Sequence, residues 1–352
     1  MPESSSRRPL FSRPLDWENG RIDLTHGSGG RAMVQLLEEL FLPAFANPWL
    51  EARDDQAVLE WPAGRLVMTT DSYVVSPLFF PGGNIGSLAV HGTINDLAMA
   101  GAQPRALSAG FILEEGFPLA DLQRIVASMA AAAREAGVSV VTGDTKVVER
   151  GKGDGVFINT TGVGVARPGV APAGRRAQPG DAILVSGTLG DHGVAILSQR
   201  QGLGFASDVL SDSAALHGLV AALVAAVPAI HVLRDPTRGG LGATLNEIAH
   251  QSGVGLRLQE AAIPLKPQVR AVCELLGLDP LYSANEGKLI ALCAADDAPL
   301  ALAAMQAHPL GTEAAIIGRV VDDPHHFVQM ETRFGGQRIV DWLAGEQLPR
   351  IC

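Results

Sequence analysis

The stretch VVTGDTK, residues 140–146, joins a short apolar segment to a carboxylate, Asp144, and an amine, Lys146. A similar arrangement recurs at VMTTD, residues 67–71, and at VLRD, residues 232–235. A short run of apolar and β-branched residues predicts a buried strand, and Gly, Thr or Asp at its end predicts a turn. These stretches therefore predict a fold in which several strands end in carboxylates.

The order of the segments predicts the fold class. Apolar residues recur at helical spacing over 85–100 and 119–136, and strand-like and helix-like segments alternate from residue 182 to residue 321. A further strand is predicted at 57–61, and the length of 352 residues favours two domains. We therefore predict an α/β (α+β) fold with a disordered leader (1–20), an N-terminal domain (21–167), a linker rich in Pro, Gly and Arg (168–180), a C-terminal α/β domain (181–330) and a mobile tail (331–352).

The composition argues against several classes of protein. The net charge of −10 is opposite to that of a nucleic-acid-binding surface. No apolar run approaches the roughly 20 residues that cross a bilayer, and the N-terminus lacks the apolar core of a signal peptide. Three cysteines form no pattern typical of a metal finger or a disulfide framework. We therefore expect a cytoplasmic protein in a reducing compartment, without a membrane or nucleic-acid partner.

Carboxylates stand at or near the ends of several predicted elements: Asp54, Asp55, Asp71, Asp96, Asp144 and Asp235. Acids at the ends of buried strands can converge on Mg²⁺, which prefers oxygen ligands and bridges phosphates. A single Asp more often caps a helix or closes a turn. Because the arrangement recurs, a metal site is favoured over a set of unrelated turns.

A glycine-rich turn, His26-Gly27-Ser28-Gly29-Gly30, precedes a predicted helix at 31–41. Backbone N–H groups in such a turn, together with the helix N-terminus, can hold phosphate. The signal is weak by itself, since a flexible turn with Ser28 as the helix cap explains it as well. The turn is not a Walker A loop, because no Gly-Lys-Ser/Thr follows.

Two steps along the chain place a carboxylate and an amine close together: Asp144 with Lys146, and Glu286 with Lys288. The chain has four lysines against 23 arginines, which favours a special use for a lysine inside such a motif. Pairing lowers the pKa of a carboxyl and burial lowers that of a lysine, and either change leaves a usable base. An ordinary surface ion pair explains the same spacing equally well.

Other polar residues carry weaker signals. His91 and Asn95 are one helical turn apart beside Asp96, but a lone His on a helix is more often structural than catalytic. Arg234 or Arg238 could bind phosphate in the stretch RDPTRGG, although the two glycines are also explained by tight packing.

The three cysteines differ in their setting. Cys273 lies in an apolar helix and Cys293 in an apolar strand, which predicts that both are buried and inert. Cys352 is the last residue of the sequence and follows Pro349-Arg350-Ile351. A thiol at the end of a tether can be carried to a partner and back, whereas an exposed thiol without a use is a liability.

Nine segments, from residue 26 to residue 352, together resemble the HypE family of hydrogenase maturation proteins. That family belongs to the superfamily of aminoimidazole ribonucleotide synthetase and related ATP-using enzymes. The combination is specific, although several pieces recur across the superfamily. The segments are HGSGG (26–30), TTDSYVVSPLFFPGGNIG (69–86), NDLAMAGA (95–102), FILEEG (111–116), VTGDTKVV (141–148), SGTLGDHG (186–193), DPTRGG (235–240), ANEGKL (284–289) and PRIC (349–352).

The resemblance implies a reaction. In this family the carbamoyltransferase HypF delivers a carbamoyl group onto the terminal cysteine, and the tail then folds into the enzyme's own ATP site. ATP drives dehydration of the S-carboxamide to a thiocyanate, and the cyano group passes to iron on the HypC–HypD complex as a cyanide ligand of NiFe hydrogenases. The resemblance also implies a homodimer, in which the N-terminal halves of two subunits form a shared β-barrel.

The same resemblance implies roles for residues. It makes Cys352 the attachment point, and it makes Lys146 and Glu286 the pair that removes the amide protons. ATP and Mg²⁺ are the implied cofactors, with Asp71, Asp96 and Asp144 as metal ligands. The implied ATP-binding residues are His26, Gly27, Ser28, Gly29, Gly30, Asp55, Asp71, Asn95, Asp96, Asp144 and Asp235.

Two other interpretations stay open. Another superfamily member, such as thiamine monophosphate kinase or selenophosphate synthetase, would also use ATP. However, the latter carries a reactive Cys or selenocysteine where this chain has HGSGG, and neither is expected to end in PRIC. A nucleotide-binding assembly partner without turnover would use the tail only for docking, and an ATPase assay with a carbamoylated tail distinguishes it.

Overall fold

The structure is a computed structural model that describes residues 11, 13–54, 56–201, 208–343, 345 and 350–352. Its N-terminal half is built on a four-stranded sheet and a short hairpin. The strands are β1 (Leu66–Tyr73), β2 (Phe79–Phe80), β3 (Gly83–Asn84), β4 (Ala102–Glu114), β5 (Ser139–Val148) and β6 (Val156–Ala166). The sheet order is β1-β6-β4-β5, in which β6 pairs antiparallel with β1 and β4, and β4 pairs parallel with β5.

Two long helices, α4 (Ile85–Met99) and α5 (Leu119–Glu135), cover one face of this sheet. The Asn84 side chain accepts hydrogen bonds from the N–H groups of Gly86 and Ser87, which caps the start of α4. α4 is buried on nearly all sides because it lies between the sheet, α5 and the C-terminal half. The shorter helices of this half are α1 (Arg31–Leu36), α2 (Leu42–Ala44) and α3 (Pro48–Glu51), with a π-helical turn at Leu37–Phe41.

The other face of the four-stranded sheet, which we call the outer face, is open in a single chain. Leu66, Met68 and Ile112 are 57%, 65% and 45% exposed on it. Side chains alternate between the two faces along each strand, so this apolar surface belongs to the sheet itself and not to a frayed end.

The C-terminal half has seven strands and five helices in the described residues. The strands are β7 (Ala182–Val185), β8 (Val232–Arg234), β9 (Gly255–Gln259), β10 (Ile290–Cys293), β11 (Ala315–Val321), β12 (Val328–Glu331) and β13 (Gln337–Ile339), and the helices are α6 (Asp191–Gln201), α7 (His217–Ala226), α8 (Gly240–Ser252), α9 (Pro267–Leu276) and α10 (Ala298–Gln306). The strands form one sheet in the order β13-β12-β9-β11-β7-β10-β8. Alternate residues of its central strands pack into two different cores, one against α8 and the other against α7 and α10. The predicted α/β class is therefore confirmed, with helices on both faces.

Three local predictions differ from the structure. The predicted strand at 57–61 is wrong, since the described residues there have no sheet partner, although Val58 O accepts a hydrogen bond from Trp49 Nε1. The predicted disorder is wrong for the described end of the leader, where Leu15 and Trp17 pack against the N-terminal core. The predicted mobile tail is wrong at β13, which pairs with β12.

Cys273 and Cys293 are buried, as predicted. Among the helices of the described ranges, none is long and apolar enough to cross a membrane.

Candidate functional site

Carboxylates from both halves of the chain meet where α4 approaches the loops around β8 and β10. Asp71 lies on β1, Asp96 on α4 and Asp235 directly after β8. Thr69 Oγ1 donates a hydrogen bond to Asp96 Oδ2 over 2.7 Å. Glu286, in the loop before β10, lies close enough to feel the charges of Asp71 and Asp235. We call these four residues the acidic cluster.

The members of the acidic cluster repel one another. Burial raises the pKa of Asp96 and the charge of Asp71 raises it further, although the hydrogen bond from Thr69 opposes this shift. Burial also raises the pKa of Asp235 to about 7, with further repulsion from Asp96 and Asp71 and a lowering effect of Arg234. Such a concentration of negative charge is relieved by a cation.

Glu286 is the most deeply buried carboxyl of the cluster. It is 3% exposed, and burial followed by repulsion from Asp212 raises its pKa well above the ordinary value. Its Oε1 has no hydrogen-bond partner among the described residues. Arg238 opposes the shift only in part. Burial therefore favours the neutral form of Glu286, and its Oε1 is a buried acceptor without a partner among the described residues.

Asn95 holds this part of the site together. Its Nδ2 donates to Ala214 O at 3.0 Å and to Glu286 O at 3.1 Å, and its Oδ1 accepts from Leu216 N at 2.8 Å. Because both ends of the amide bind backbone, Asn95 positions the loop that carries Glu286. The sequence predicted it as a nucleotide-binding residue, and the structure gives it this positioning role.

Glycines allow the loops to come this close. Gly240 has φ 60°, and a Cβ there would lie 2.5 Å from Ser283 O, in the segment that leads to Glu286. A Cβ on Gly287 would lie 1.8 Å from Asp212 O. Gly240 in RDPTRGG is therefore explained by tight packing, which was the alternative to a phosphate-binding role for this stretch.

Asp144 and Lys146 lie apart from the acidic cluster. They lie on the outer face of the four-stranded sheet, because their neighbour Thr145 belongs to a row of directly paired, buried residues on the opposite face. Lys146 Nζ contacts Asp144 at 2.8 Å, and the two side chains are 64% and 65% exposed. Within one chain the predicted pairing of Lys146 with Glu286 is not formed. The buried row is Tyr73, Ile158, Phe111 and Thr145.

The predicted metal ligands are divided in the same way. Asp71 and Asp96 lie together, whereas Asp144 is on the outer face. In the described ranges, no group of three or more His, Cys, Asp or Glu side chains is arranged to hold a metal ion. The set Asp71, Asp96 and Asp144 is thus not a complete metal site in one chain. Asp55 lies outside the described residues.

The glycine-rich turn lies beside β5. A Cβ on Gly27 would lie 2.7 Å from Val147 N, which explains the need for glycine at this contact. His26 is buried and its Nδ1 accepts a hydrogen bond from Asp23 N, so the ring stabilises its own turn. The alternative interpretation, in which Ser28 caps the following helix, does not hold, because Gly30 precedes α1 and Ser28 Oγ donates to Thr25 O. The turn therefore lies at the end of the strand that carries Lys146.

The last three residues are docked in the protein. Cys352 O accepts a hydrogen bond from Val74 N at 3.2 Å, and Arg350 O accepts one from Ser76 N at 3.1 Å. Ile351 is 4% exposed and its carbonyl lies 2.8 Å from His192 Nε2. Cys352 is half-buried against the N-terminal core. Val74 follows directly after β1, so the C-terminal thiol residue is held at the end of the strand that carries Asp71.

Sequence reasoning missed the residues that hold the tail. His192 lies in the segment SGTLGDHG, and neither its position nor the family resemblance predicted a role for it. Its contact with Ile351 joins positions 159 residues apart. The only signal in the sequence was a histidine within a glycine-rich helix start, and this is too common to indicate a contact with the C-terminus.

Asp235→Asn is expected to stabilise the nucleotide-free protein at alkaline pH. Folding raises the pKa of the Asp235 carboxyl from 3.8 to about 7. The protonated carboxyl therefore contributes fully to the stability of the folded protein below about pH 4, and this contribution is lost as the pH rises to about 7. Above that pH the folded wild type holds a charge that Asn lacks, so the gain at pH 8 should be on the order of 2 kcal/mol. Thermal unfolding measured from acidic to alkaline pH tests this, and a gain that does not grow with pH would contradict it.

Comparisons with known proteins identify the family. The chain matches the family models of AIR synthase related protein, N-terminal domain, over residues 53–166 and C-terminal domain over residues 178–331. It is 72% identical over 338 residues to carbamoyl dehydratase HypE of Azotobacter vinelandii, covering 96% of this chain and 99% of that protein. A crystal structure of hydrogenase maturation protein HypE in complex with ATP matches with a TM-score of 0.90 at 57% identity, covering 94% of this chain and 99% of the other.

A crystal structure of a HypE–HypF complex contains a chain that matches with a TM-score of 0.78 at 50% identity, covering 88% of this chain and 99% of that chain. These matches extend over both halves of the fold and over the segments that carry the acidic cluster. The chain belongs to the family of the carbamoyl dehydratase HypE, among the AIR synthase related proteins.

Proposed function

We propose that this protein uses ATP to dehydrate a carbamoyl group carried on the thiol of Cys352, and so supplies cyanide ligands for the iron of NiFe hydrogenases. The docked C-terminus is the observation that carries the proposal. Cys352 is bound through Val74, three residues after Asp71, and the charge of Asp71 acts on Glu286. A tethered substrate at an acidic cluster is the arrangement that this reaction needs.

The proposed reaction has two steps, phosphorylation of the amide oxygen and loss of phosphate. The amide oxygen of the S-carboxamide attacks the γ-phosphorus of ATP and releases ADP. The C–O bond then breaks as phosphate leaves, the amide nitrogen loses both of its protons, and the product is an S-bound nitrile. Glu286 is the group proposed to accept a proton from the nitrogen. Burial favours the neutral form of Glu286, and a nearby cation would favour the carboxylate that accepts the proton.

The acidic cluster fits a site for Mg²⁺ and nucleotide phosphates. The charge of Asp71 raises the pKa of Asp96 and of Asp235, and Glu286 Oε1 is a buried acceptor without a partner among the described residues. Mg²⁺ is commonly held by one or two carboxylates, with phosphate oxygens and water completing its shell. We propose Asp71 and Asp96 as its ligands, where the ion would stabilise charge on the transferred phosphoryl group. Asp144 is a candidate only from a second chain.

A homodimer is supported by the outer face of the four-stranded sheet. Leu66, Met68 and Ile112 leave an apolar sheet surface open, and such a surface is usually covered in a stable protein. Pairing of two outer faces would also bring the Asp144–Lys146 strand of one chain towards its partner. We propose that Lys146 serves the acidic cluster of the partner subunit and not that of its own chain.

Mixed dimers test this assignment. Chains with Lys146→Ala or Glu286→Gln should each be inactive as homodimers, because every site lacks one of the two groups. A mixed dimer of the two variants should recover about half of the wild-type activity, since one of its two sites combines the intact Glu286 of one chain with the intact Lys146 of the other. Isolating the mixed dimer with two affinity tags and measuring product per dimer tests this. Inactive mixed dimers would place both residues in the site of one chain and contradict the proposal.

HypF is the proposed carbamoyl donor and the HypC–HypD complex is the proposed acceptor of the cyano group. The crystal structure of a HypE–HypF complex supports the first partner for a relative of this chain. The first experiment is mass spectrometry of the C-terminal peptide after incubation with HypF, carbamoyl phosphate and Mg-ATP. A carbamoyl adduct on Cys352 that then loses one water is expected. An unmodified Cys352, with HypF active, would favour a kinase acting on a small molecule, and a stable adduct without water loss would favour a docking protein.

A further inference from the structure

We propose that His192 is a positioning residue that holds the C-terminal tripeptide inside the protein, and that its loss releases Cys352 to solvent. The inference deepens the proposed function, because it concerns the residue that would carry the carbamoyl group. The docking itself is measurable without nucleotide, partner or turnover. The two proposals can therefore fail separately.

The imidazole of His192 is bound on both of its nitrogens. Nε2 lies 2.8 Å from Ile351 O, and because a carbonyl oxygen only accepts, this nitrogen carries the hydrogen. Nδ1 lies 2.8 Å from Ser211 Oγ, and the ring of Phe80 packs edge-on at 5.5 Å. The ring is fully buried, and burial lowers its pKa, which favours the neutral tautomer that this geometry requires. Its orientation is therefore determined before the tail arrives.

The contact supplies a donor to a buried carbonyl of the tail. Arg350 has a left-handed backbone with φ 53°, so the tail is not a regular strand. Its first and last carbonyls nevertheless bind backbone, since Arg350 O accepts from Ser76 N and Cys352 O accepts from Val74 N. Ile351 lies between them and is buried, so its carbonyl would be costly without a partner. His192 supplies that partner.

Other contacts to the tail are more exposed. Arg350 Nη1 contacts Asp154 at 2.6 Å with the side chains 40% and 55% exposed, and Arg200 Nη2 donates to Arg350 O at 3.0 Å. Exposed ion pairs contribute little, whereas a buried acceptor without a donor is costly. His192, and not the Arg350–Asp154 pair, is therefore expected to dominate the docking.

The loop that carries Ser211, Asp212 and Ser213 links His192 to Glu286. Ser211 binds His192, Asp212 Oδ1 accepts from Glu286 N at 3.0 Å, and Ser213 Oγ lies 2.9 Å from His91 Nδ1. Because consecutive residues bind His192 and the proposed base, fixing the His192 ring also supports the position of Glu286. The docked tail and the acidic cluster thus share a support.

The test is the alkylation rate of Cys352 by iodoacetamide in the full chain, without nucleotide or HypF, followed by mass of the C-terminal peptide. His192→Leu should raise the rate roughly tenfold, because the buried Ile351 carbonyl loses its donor. His192→Gln should restore a rate close to wild type, since its amide nitrogen can reach the position of Nε2. The matched control is His231→Leu, since this partly buried imidazole binds Asp181 and contacts neither the tail nor the loop of Ser211, and its rate should equal that of wild type.

A second variant keeps the inference testable if His192→Leu does not fold. Ser211→Ala removes the partner of Nδ1 while leaving the ring in place, and should raise the rate in the same direction but less. With HypF and Mg-ATP, both variants should acquire the carbamoyl adduct normally and lose water more slowly. Wild-type alkylation rates in folded His192→Leu, or in Ser211→Ala when the first variant is unfolded, would overturn the inference. Failure of wild type to lose water, with the alkylation pattern intact, would overturn only the proposed function.

Discussion

Cys352→Ser is expected to abolish product formation, with no carbamoyl adduct and no ATP-dependent loss of water at the C-terminus. A serine hydroxyl is a far weaker nucleophile than a thiol near neutral pH, because its pKa leaves almost no anion. The substitution preserves shape, and the contacts of Arg350 and Ile351 that dock the tail do not use the thiol. Nucleotide binding should therefore be unchanged. The measurement is intact mass together with thiocyanate release.

The matched control for this prediction is Cys273→Ala. Cys273 is buried in α9, and burial raises the pKa of its thiol to about 11, so it is unreactive near neutral pH. Its removal should leave the adduct and the loss of water at wild-type rates once the folded fraction is taken into account. If Cys352→Ser formed the adduct at another residue, that residue and not Cys352 would be the carrier of the carbamoyl group.

Glu286→Gln is expected to slow dehydration by at least ~100-fold, the usual effect of losing a general base. Glutamine has the shape and neutrality of protonated Glu286, the form that burial favours, so the folded state should keep its stability. The hydrogen bond from Glu286 N to Asp212 is a backbone contact and survives the change. Nucleotide affinity should change little. Single-turnover conversion of the carbamoyl adduct to the dehydrated product measures the chemical step directly.

Glu331→Gln is a suitable control, because Glu331 is an exposed residue of β12. It makes the same Glu-to-Gln change without touching the acidic cluster. Dehydration at the wild-type rate in Glu286→Gln would remove Glu286 from the chemistry. A lower melting temperature of Glu286→Gln would mean that the carboxyl is charged in the nucleotide-free state.

The two variants separate the steps of the reaction. Cys352→Ser should fail before any adduct forms, whereas Glu286→Gln should accumulate the S-carboxamide. Loss of His192 should leave adduct formation intact and weaken the retention of the tail. The point at which each variant stops therefore reports which of carriage, docking and proton removal it affects.

Local signals in the chain were sufficient for much of the fold. The helix predicted at 119–136 is found at Leu119–Glu135, because its apolar residues recur at helical spacing and Leu122, Ile125 and Met129 form one buried stripe. The strand at 67–70 was also predicted, since its residues favour extended backbone. The strand at 57–61 was wrong, because a strand exists only where another chain segment offers hydrogen bonds.

The sequence by itself determined the family, the alternation of strands and helices, and the types of group available for chemistry. These follow from local composition and from the order of motifs along the chain. Only the tertiary structure decided which groups meet. Asp71 and Asp144 both follow apolar stretches, yet a single residue of register decides which face of a sheet each side chain occupies. The contact between His192 and Ile351 joins residues 159 positions apart, so no local pattern could indicate it.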